Sequence, residues 1–258
     1  MQAILYIGHG TRLAKGVAQC KAFIEQVKQQ IPLPIQETAF LELVEPSIEE
    51  GVKRCIEQGA TKIAIIPLLL LTAHHAKLDI PKEFEAIHSQ YPTIQFTFGK
   101  PLGIEKSIVM EVIDKVQQAI NTQESENWQT RLTNGEADVL LVVRGSSDPG
   151  LAQQANEICQ LVKKYSHYKY VKACFLYGND WRFEDALSLY STCQKPVVII
   201  PYLLFDGLLS VAIEKKVQQA QEMSPNVLLA DKLGSGENVQ FVLRKRIDQC
   251  IQIGGVYV

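Results

Sequence analysis

Short apolar runs alternate along the chain with longer stretches in which apolar residues recur at helical spacing. Uninterrupted apolar runs are typical of strands that are buried on both faces of a parallel sheet. In the first half of the chain, this pattern predicts strands at residues 3–7, 35–43, 62–70 and 94–98. Apolar spacings of three and four predict helices at about residues 16–30, 46–59, 80–91 and 104–120. The alternation predicts an α/β fold in which helices flank a parallel sheet.

The same pattern then occurs a second time. The apolar run around Pro67 returns around Pro201, at an offset of 134 residues (201 − 67). The strand at residues 139–143 repeats the first strand, and Tyr177 stands where Glu42 stood, at an offset of 135 (177 − 42). Matched strand ends at a nearly constant offset indicate a duplicated unit.

The repeat predicts two tandem domains, and a chain of 258 residues is long enough for two domains of ordinary size. We expect an N-terminal half at residues 1–121, a polar linker at 122–137 and a C-terminal half at 138–258. The second half should end with a strand near residues 227–230 and a helix near 236–251.

Composition and charge exclude several classes of protein. The net charge is −2 and no basic run is present, which argues against a nucleic-acid partner. The apolar segment at residues 3–7 is too short for a signal peptide. The longest apolar run, residues 63–71, is less than half of the roughly 20 residues that span a bilayer. We therefore expect a cytoplasmic protein that does not bind membranes and acts on a small molecule.

Six cysteines are scattered along the chain, and no two form a Cys-x-x-Cys pair. A disulfide framework or a structural zinc site would need closer spacing. The cysteines are therefore predicted to be buried thiols of a reduced protein.

Three polar side chains follow three different strands of the first half. His9 follows the first strand between two glycines, Glu42 ends the second, and His75 lies just beyond the third. Ligands of open α/β sheets bind at the carboxyl ends of the strands, so we expect these three side chains at one edge. Two imidazoles and a carboxylate suit a divalent first-row metal or a proton transfer. In the second copy, Leu208 and Leu209 replace His74 and His75, which predicts one polar site and one degenerate site.

Basic and hydroxyl side chains lie near the same predicted edges. Those that could hold an anionic ligand are Arg12, Lys15, Lys77, Arg144, Ser146 and Ser147. Solvated surface charges are the ordinary alternative for the lysines and arginines. His88 and His167 lie in polar surroundings and are predicted to be surface residues, and Asp206 is interpreted as a turn residue beside Gly207.

The motifs together resemble the class II chelatases over essentially the whole chain. The stretches that carry the resemblance are Ile-Leu-Tyr-Ile-Gly-His-Gly-Thr-Arg (4–12), Phe-Leu-Glu-Leu with Glu-Pro-Ser-Ile-Glu (40–49), Pro-Leu-Leu-Leu-Leu-Thr-Ala-His-His-Ala-Lys-Leu-Asp-Ile-Pro (67–81) and Arg-Gly-Ser-Ser-Asp (144–148). Position by position, the family's two histidines fall on His9 and His75, its glutamate on Glu42, and Asp79 lies four residues after His75. His74 is an additional histidine beside the second position.

The resemblance implies a bilobal chain whose two α/β halves enclose a cleft for a carboxylate-rich tetrapyrrole. The implied reaction is insertion of Fe²⁺ into sirohydrochlorin with release of two protons. His9, His75 and Glu42 would hold the metal and accept protons, and Arg12, Lys77, Arg144, Ser146 and Ser147 would hold the substrate. Because both halves lie in one chain, we expect a monomer with an internal pseudo-dimer. No permanently bound cofactor is expected, since the metal is a substrate.

Three other readings of the sequence stay open. The same reaction with Co²⁺ fits equally well, because sites built from nitrogen and oxygen follow a general affinity order for divalent metals. A non-catalytic metal or tetrapyrrole carrier is also compatible with a two-domain α/β chain. A metal-dependent hydrolase fits less well, because the sequence offers no water-activating site with three firm ligands.

Overall fold

The computed structural model describes residues 1–71, 84–123, 128–146, 148–178 and 180–252. Within these ranges, the chain forms two four-stranded parallel sheets with helices packed against them. The predicted α/β fold with two repeated parallel sheets is therefore confirmed.

The first sheet has the strand order β2-β1-β3-β4, and every neighbouring pair is parallel. Its strands are β1 (Gln2–Gly8), β2 (Ile35–Phe40), β3 (Lys62–Pro67) and β4 (Gln95–Phe98). The helices of this part of the chain are α1 (Ala14–Lys28), α2 (Ile48–Glu57) and α3, of which residues 84–90 are described. The central strand β1 is buried along residues 3–8, as expected of a strand covered on both faces.

The second sheet repeats this arrangement with the order β6-β5-β7-β8. Its strands are β5 (Asp138–Val143), β6 (Val171–Phe175), β7 (Val197–Pro201) and β8 (Val227–Leu229). The remaining helices of the chain are α4 (Lys106–Asn121), α5 (Trp128–Asn134), α6 (Pro149–Ser166), α7 (Phe183–Cys193), α8 (Leu208–Met223) and α9 (Glu237–Gln252). The equal strand order in both sheets gives each the same set of strand ends at its carboxyl edge.

Two predicted strands are shorter than the sequence pattern suggested. The second was expected to reach residue 43, but β2 ends at Phe40 because the chain turns away there, and Leu43 has a left-handed backbone with φ 66°. The third was expected to reach residue 70, but β3 ends at Pro67, and the carbonyls of Leu69 and Leu70 accept hydrogen bonds from the loop after β4. An apolar run continues past a strand wherever the following loop also packs on the core.

The chain forms two compact units whose boundaries differ from the predicted halves. The first unit comprises Met1–Gly103 with the C-terminal segment from Val239, and the second comprises Ile104–Asn238. Helix α4 follows the last strand of the first sheet, yet it packs on β7, β8 and α6 of the second unit. The predicted linker at 122–137 contains helix α5. Both predicted halves end with amphipathic helices of similar composition. The sequences of these helices do not indicate which of the two sheets each helix covers.

Helix α9 completes the first unit through a buried arginine. The Arg246 guanidinium donates hydrogen bonds to the carbonyl oxygens of Pro101 at 2.8 Å and Leu102 at 2.6 Å, and to the Gln249 side chain at 3.0 Å. Cys250, one turn further along, contacts the Thr97 hydroxyl on β4, with 3.2 Å between Sγ and Oγ1. The last helix is thus tied to the loop that follows β4.

The cysteine prediction is confirmed for five of six positions. Cys20, Cys55, Cys159, Cys174 and Cys250 are buried free thiols, whereas Cys193 is exposed at the end of α7. None of the helices within the described residues combines the length and the apolar character needed to cross a bilayer.

We expect Arg246→Leu to lower the stability of the protein by about 2–4 kcal/mol, because two buried carbonyls lose charge-assisted hydrogen bonds. The measurement is urea unfolding followed by circular dichroism. Arg244→Leu, on the same helix but less buried, is the control and should shift the midpoint much less. Equal midpoints for the two variants would show that the contacts of Arg246 do not hold α9 in place.

Candidate functional site

His9 is the first residue after the central strand of the first sheet. Strand β1 ends at Gly8, and it is flanked by β2 on one side and β3 on the other. His9 therefore lies at the middle of the carboxyl edge, which is where ligands of open parallel sheets bind.

Backbone hydrogen bonds bring Glu42 next to His9. The Leu41 N–H donates to the Gly8 carbonyl at 2.9 Å, and the Glu42 N–H donates to the His9 carbonyl at 3.1 Å. These bonds continue the parallel pairing of β1 with β2 beyond the ends of both strands. As a result, the His9 Nε2 and Glu42 Oε1 atoms lie 3.5 Å apart.

Gly10 is required for this approach. Its φ is 94°, in the left-handed region, and a Cβ at this position would overlap the Glu42 carbonyl oxygen. Glycine alone lacks the atom that would clash and adopts this φ without strain. The Gly-His-Gly sequence thus serves the geometry of the His9–Glu42 pair.

The pair has the separation and exposure of two ligands that can share one metal ion. Two ligand atoms bonded to one ion at about 2.0–2.2 Å lie roughly 3.0–3.4 Å apart, close to the observed 3.5 Å. The side chains of His9 and Glu42 are 38% and 52% exposed, so an ion held there keeps open positions. Protonated His9 would instead form an ion pair with Glu42. The pair can therefore hold a divalent cation weakly or exchange protons with solvent.

Several residues of the predicted site are not covered by the structure. His74, His75, Lys77, Asp79 and Ser147 lie outside the described residues. Within the described ranges, no three His, Cys, Asp or Glu side chains are grouped to hold a metal. His9 and Glu42 are brought together as predicted, and a third ligand from the 72–83 segment stays a prediction.

The basic residues predicted in the first half, as far as they are described, are on the surface. Arg12 is exposed in the loop between β1 and α1, and Lys15 is exposed in the first turn of α1. Both follow the strand end that carries His9. Their predicted contact with an anionic substrate stays a prediction.

The second unit repeats the strand-end geometry with different side chains. The Tyr177 N–H donates to the Arg144 carbonyl at 3.0 Å, as Glu42 does to His9, and Arg144 is exposed. Gly145, with φ 85°, takes the place of Gly10, and a Cβ there would overlap the Tyr177 carbonyl. The half-buried Ser146 accepts a hydrogen bond from the Asp148 N–H at 3.1 Å. The second edge therefore keeps the backbone arrangement and lacks the His–Glu pair.

Two surface predictions are confirmed, and one interpretation needs correction. His88 and His167 are exposed. Asp206, interpreted as a turn residue, is buried and forms an ion pair with Lys232, whose Nζ lies 2.7 Å from Oδ1. Burial acts to lower the pKa of Lys232, but its bonds to Asp206 and Asp231 outweigh this and raise the pKa. Asp206 thus has a structural role in the second unit through a buried ion pair and not through a turn.

Sequence reasoning gave no special place to Leu43, which directly follows Glu42. It has a positive φ of 66°, and its side chain is 57% exposed. Leucine has low preference for this backbone conformation, so its identity alone gave no signal of a turn.

The family model CbiX matches two segments of the chain, residues 3–119 and 138–250. The chain belongs to the CbiX family. Each matched segment contains one of the two parallel sheets, so the family pattern is present twice. The class II chelatase resemblance of the sequence is confirmed by this match.

Curated and solved relatives of the CbiX family are similar over nearly the whole chain. A sirohydrochlorin ferrochelatase of Priestia megaterium is 39% identical over 256 residues, covering 99% of this chain and 92% of that protein. SirB from Bacillus subtilis with Fe³⁺ has a TM-score of 0.85 at 37% identity, covering 98% of this chain and 96% of that one. SirB from Bacillus subtilis subspecies spizizenii in complex with cobalt has a TM-score of 0.81 at 36% identity, covering 97% and 95%.

We expect Gly10→Ala to separate His9 from Glu42 and to weaken metal binding. Because the new Cβ would overlap the Glu42 carbonyl, the loop must shift, at a cost of more than about 1 kcal/mol or roughly 2–4 °C in Tm. The measurements are thermal unfolding and a Co²⁺ titration followed by absorbance.

Gly145→Ala is the matched control, because the same overlap occurs there beside Tyr177. It should lower Tm to a similar extent and leave Co²⁺ binding unchanged. If Gly10→Ala bound Co²⁺ as the wild type does, the loop geometry would not be needed for the metal site.

Proposed function

We propose that this protein is a sirohydrochlorin ferrochelatase, which inserts Fe²⁺ into sirohydrochlorin and releases two protons. The observation that carries the proposal is the exposed His9–Glu42 pair at the carboxyl edge of the first sheet, with 3.5 Å between Nε2 and Oε1. The identity of 39% to a sirohydrochlorin ferrochelatase over 99% of this chain supports the same conclusion.

Metal insertion requires a site that binds the ion and then releases it. A closed four-ligand site of the structural zinc type would retain the ion. The exposed His9 and Glu42 provide one nitrogen and one oxygen ligand and leave positions open for water and for the nitrogens of the macrocycle. In this proposal His75 is the third ligand.

The ring must lose two pyrrole protons as the metal enters, so the site also needs proton acceptors. An imidazole with a pKa of about 6.5 is mostly neutral near pH 7 and can accept a proton. We assign this role to His9 and His75, with Glu42 as the carboxylate that steadies the resulting imidazolium. Metal binding and proton acceptance follow one another, because an imidazole nitrogen can accept a proton once it has released the metal.

The carboxylates of the substrate require cations and hydrogen-bond donors around the site. We assign this role to Arg12 and Lys77 in the first half and to Arg144, Ser146 and Ser147 in the second. Guanidinium groups bind carboxylates with two parallel hydrogen bonds, which fixes the orientation of the ring as well as its position. Reaction is assigned to the first half alone, because the second has Arg144 and Tyr177 in place of His9 and Glu42.

Cobalt is the second candidate for the inserted metal. A solved relative at 36% identity is in complex with cobalt, so sites of this kind accept that ion. Nitrogen and oxygen ligands bind both ions, and the choice depends on geometry and supply.

We further propose that the chain acts as a monomer. Its two family segments lie in one polypeptide, so one chain contains the two α/β units that two copies of a single-segment chain would contribute.

We expect catalytic amounts of the protein to accelerate the conversion of sirohydrochlorin to its iron complex under anaerobic conditions, followed by visible absorption. His9→Ala should lower the rate by about 100-fold or more, because a metal ligand and proton acceptor is lost. His88→Ala, which changes an exposed histidine outside the site, should react at the wild-type rate. Saturation at one equivalent without turnover would identify a carrier, and faster turnover with Co²⁺ at equal concentration would favour the cobalt reaction.

We expect Glu42→Gln to lower the insertion rate by about 10- to 100-fold with little change in Tm, because the amide neither binds the cation as strongly nor stabilises an imidazolium. The measurement is the rate at several Fe²⁺ concentrations beside thermal unfolding. Glu57→Gln, at the exposed end of α2, is the control. A Glu42→Gln variant with the wild-type rate would remove this carboxylate from the reaction.

A further inference from the structure

Among the described residues of the first unit, Leu43 has a backbone conformation without a local explanation. Within the described residues, three non-glycine residues have positive φ: Leu43 (66°), His167 (63°) and Gln194 (55°). His167 and Gln194 are the C-caps of α6 and α7, where a left-handed residue commonly ends a helix. Leu43 instead lies in the loop between β2 and α2.

The corresponding turn of the second unit has a glycine at the left-handed position. There the Tyr177 N–H donates to Arg144, the Phe175 N–H donates to the Trp181 carbonyl at 2.9 Å, and Gly178 between them has φ 99°. Gly178 lies 135 residues after Leu43 (178 − 43), the same offset that relates Tyr177 to Glu42. The left-handed turn thus belongs to the loop itself, and glycine is the unstrained solution.

The leucine is not explained by packing. Its side chain is 57% exposed, so it gains little from burial within its own unit. A left-handed conformation costs a non-glycine residue free energy and persists where the surrounding structure enforces it, often at a functional site. The first unit therefore has an exposed apolar side chain, on a strained backbone, at the position that follows Glu42 in the chain.

We propose that Leu43 is a substrate-contacting residue, whose side chain packs against the apolar surface of the tetrapyrrole. This inference rests on the proposed function. Of the described neighbours at this edge, His9, Glu42 and Arg12 are polar and suit the metal and the carboxylates. The apolar residues that follow β2 and β3, Leu41, Leu69 and Leu70, are only partly exposed. Leu43 is 57% exposed and therefore offers the larger apolar surface to a flat conjugated ring. The left-handed turn projects Leu43 into solvent at the same loop, and a ring that covers it would remove that apolar surface from water.

The test is steady-state kinetics of Leu43→Asn, Leu43→Gly and Leu43→Met with Fe²⁺ and sirohydrochlorin. Asparagine tolerates a left-handed backbone and has nearly the same size, so it removes only the apolar character. We expect Leu43→Asn and Leu43→Gly to raise the KM for sirohydrochlorin by about 10-fold, with smaller changes in kcat and in the dependence on Fe²⁺. Leu43→Met should keep the wild-type KM, and the Tm of Leu43→Gly should not fall.

Leu189→Asn is the matched control, because Leu189 is a leucine on α7 with a similar exposure of 55%. It should leave the KM unchanged. A Leu43→Asn variant with the wild-type KM would overturn the proposal, and so would a loss of Tm in all three Leu43 variants with KM unaltered, since that would indicate a structural role.

Failure of the proposed function can be told apart from failure of this inference. If the wild-type protein shows no turnover, sirohydrochlorin is titrated without metal and its binding is followed by absorption. Weaker binding by Leu43→Asn than by the wild type and Leu189→Asn would then still support the contact. Equal binding by all three proteins would reject it.

Discussion

The site depends on one backbone constraint, the continuation of parallel pairing past the ends of β1 and β2. The two hydrogen bonds from the N–H groups of Leu41 and Glu42 fix the second strand end against the first. Gly10 leaves the space that this close approach needs. With the backbones held in this way, the side chains of His9 and Glu42 lie next to each other. The backbone positions of His9 and Glu42 are therefore set by the continuation of the sheet.

The second unit shows that this constraint is independent of the chemistry. The hydrogen bond from Tyr177 to Arg144, the left-handed Gly145 and the turn at Gly178 reproduce the same loop without a histidine or a glutamate. A scaffold shared by both copies can therefore fold without the His–Glu pair, to which we assign the reaction. The differences between the copies are therefore informative about function, and the shared features are informative about stability.

The sequence predicted those features that follow from local periodicity. Apolar runs located the strands, and the rule that ligands bind at the carboxyl ends of parallel strands placed His9 beside Glu42. Features that depend on distant partners could not be predicted. The amphipathic helix α9 packs with the first unit through Arg246, and Asp206 pairs with Lys232, because tertiary contacts select among partners that look alike in sequence. Leu43 escaped notice because leucine is not a turn residue.

Exposure of the proposed metal ligands and strain in the adjoining loop have a common physical basis. A metal that is a substrate must leave, so its ligands cannot be buried behind a closed coordination sphere. An exposed pair such as His9 and Glu42 gains little stability from its own contact, and an exposed Leu43 gains little from packing. Such residues can persist only on a frame whose stability comes from elsewhere, here the buried strand β1 and its neighbours. The folding stability of the protein is therefore expected to change less on substitution of His9, Glu42 or Leu43 than on substitution of Gly10.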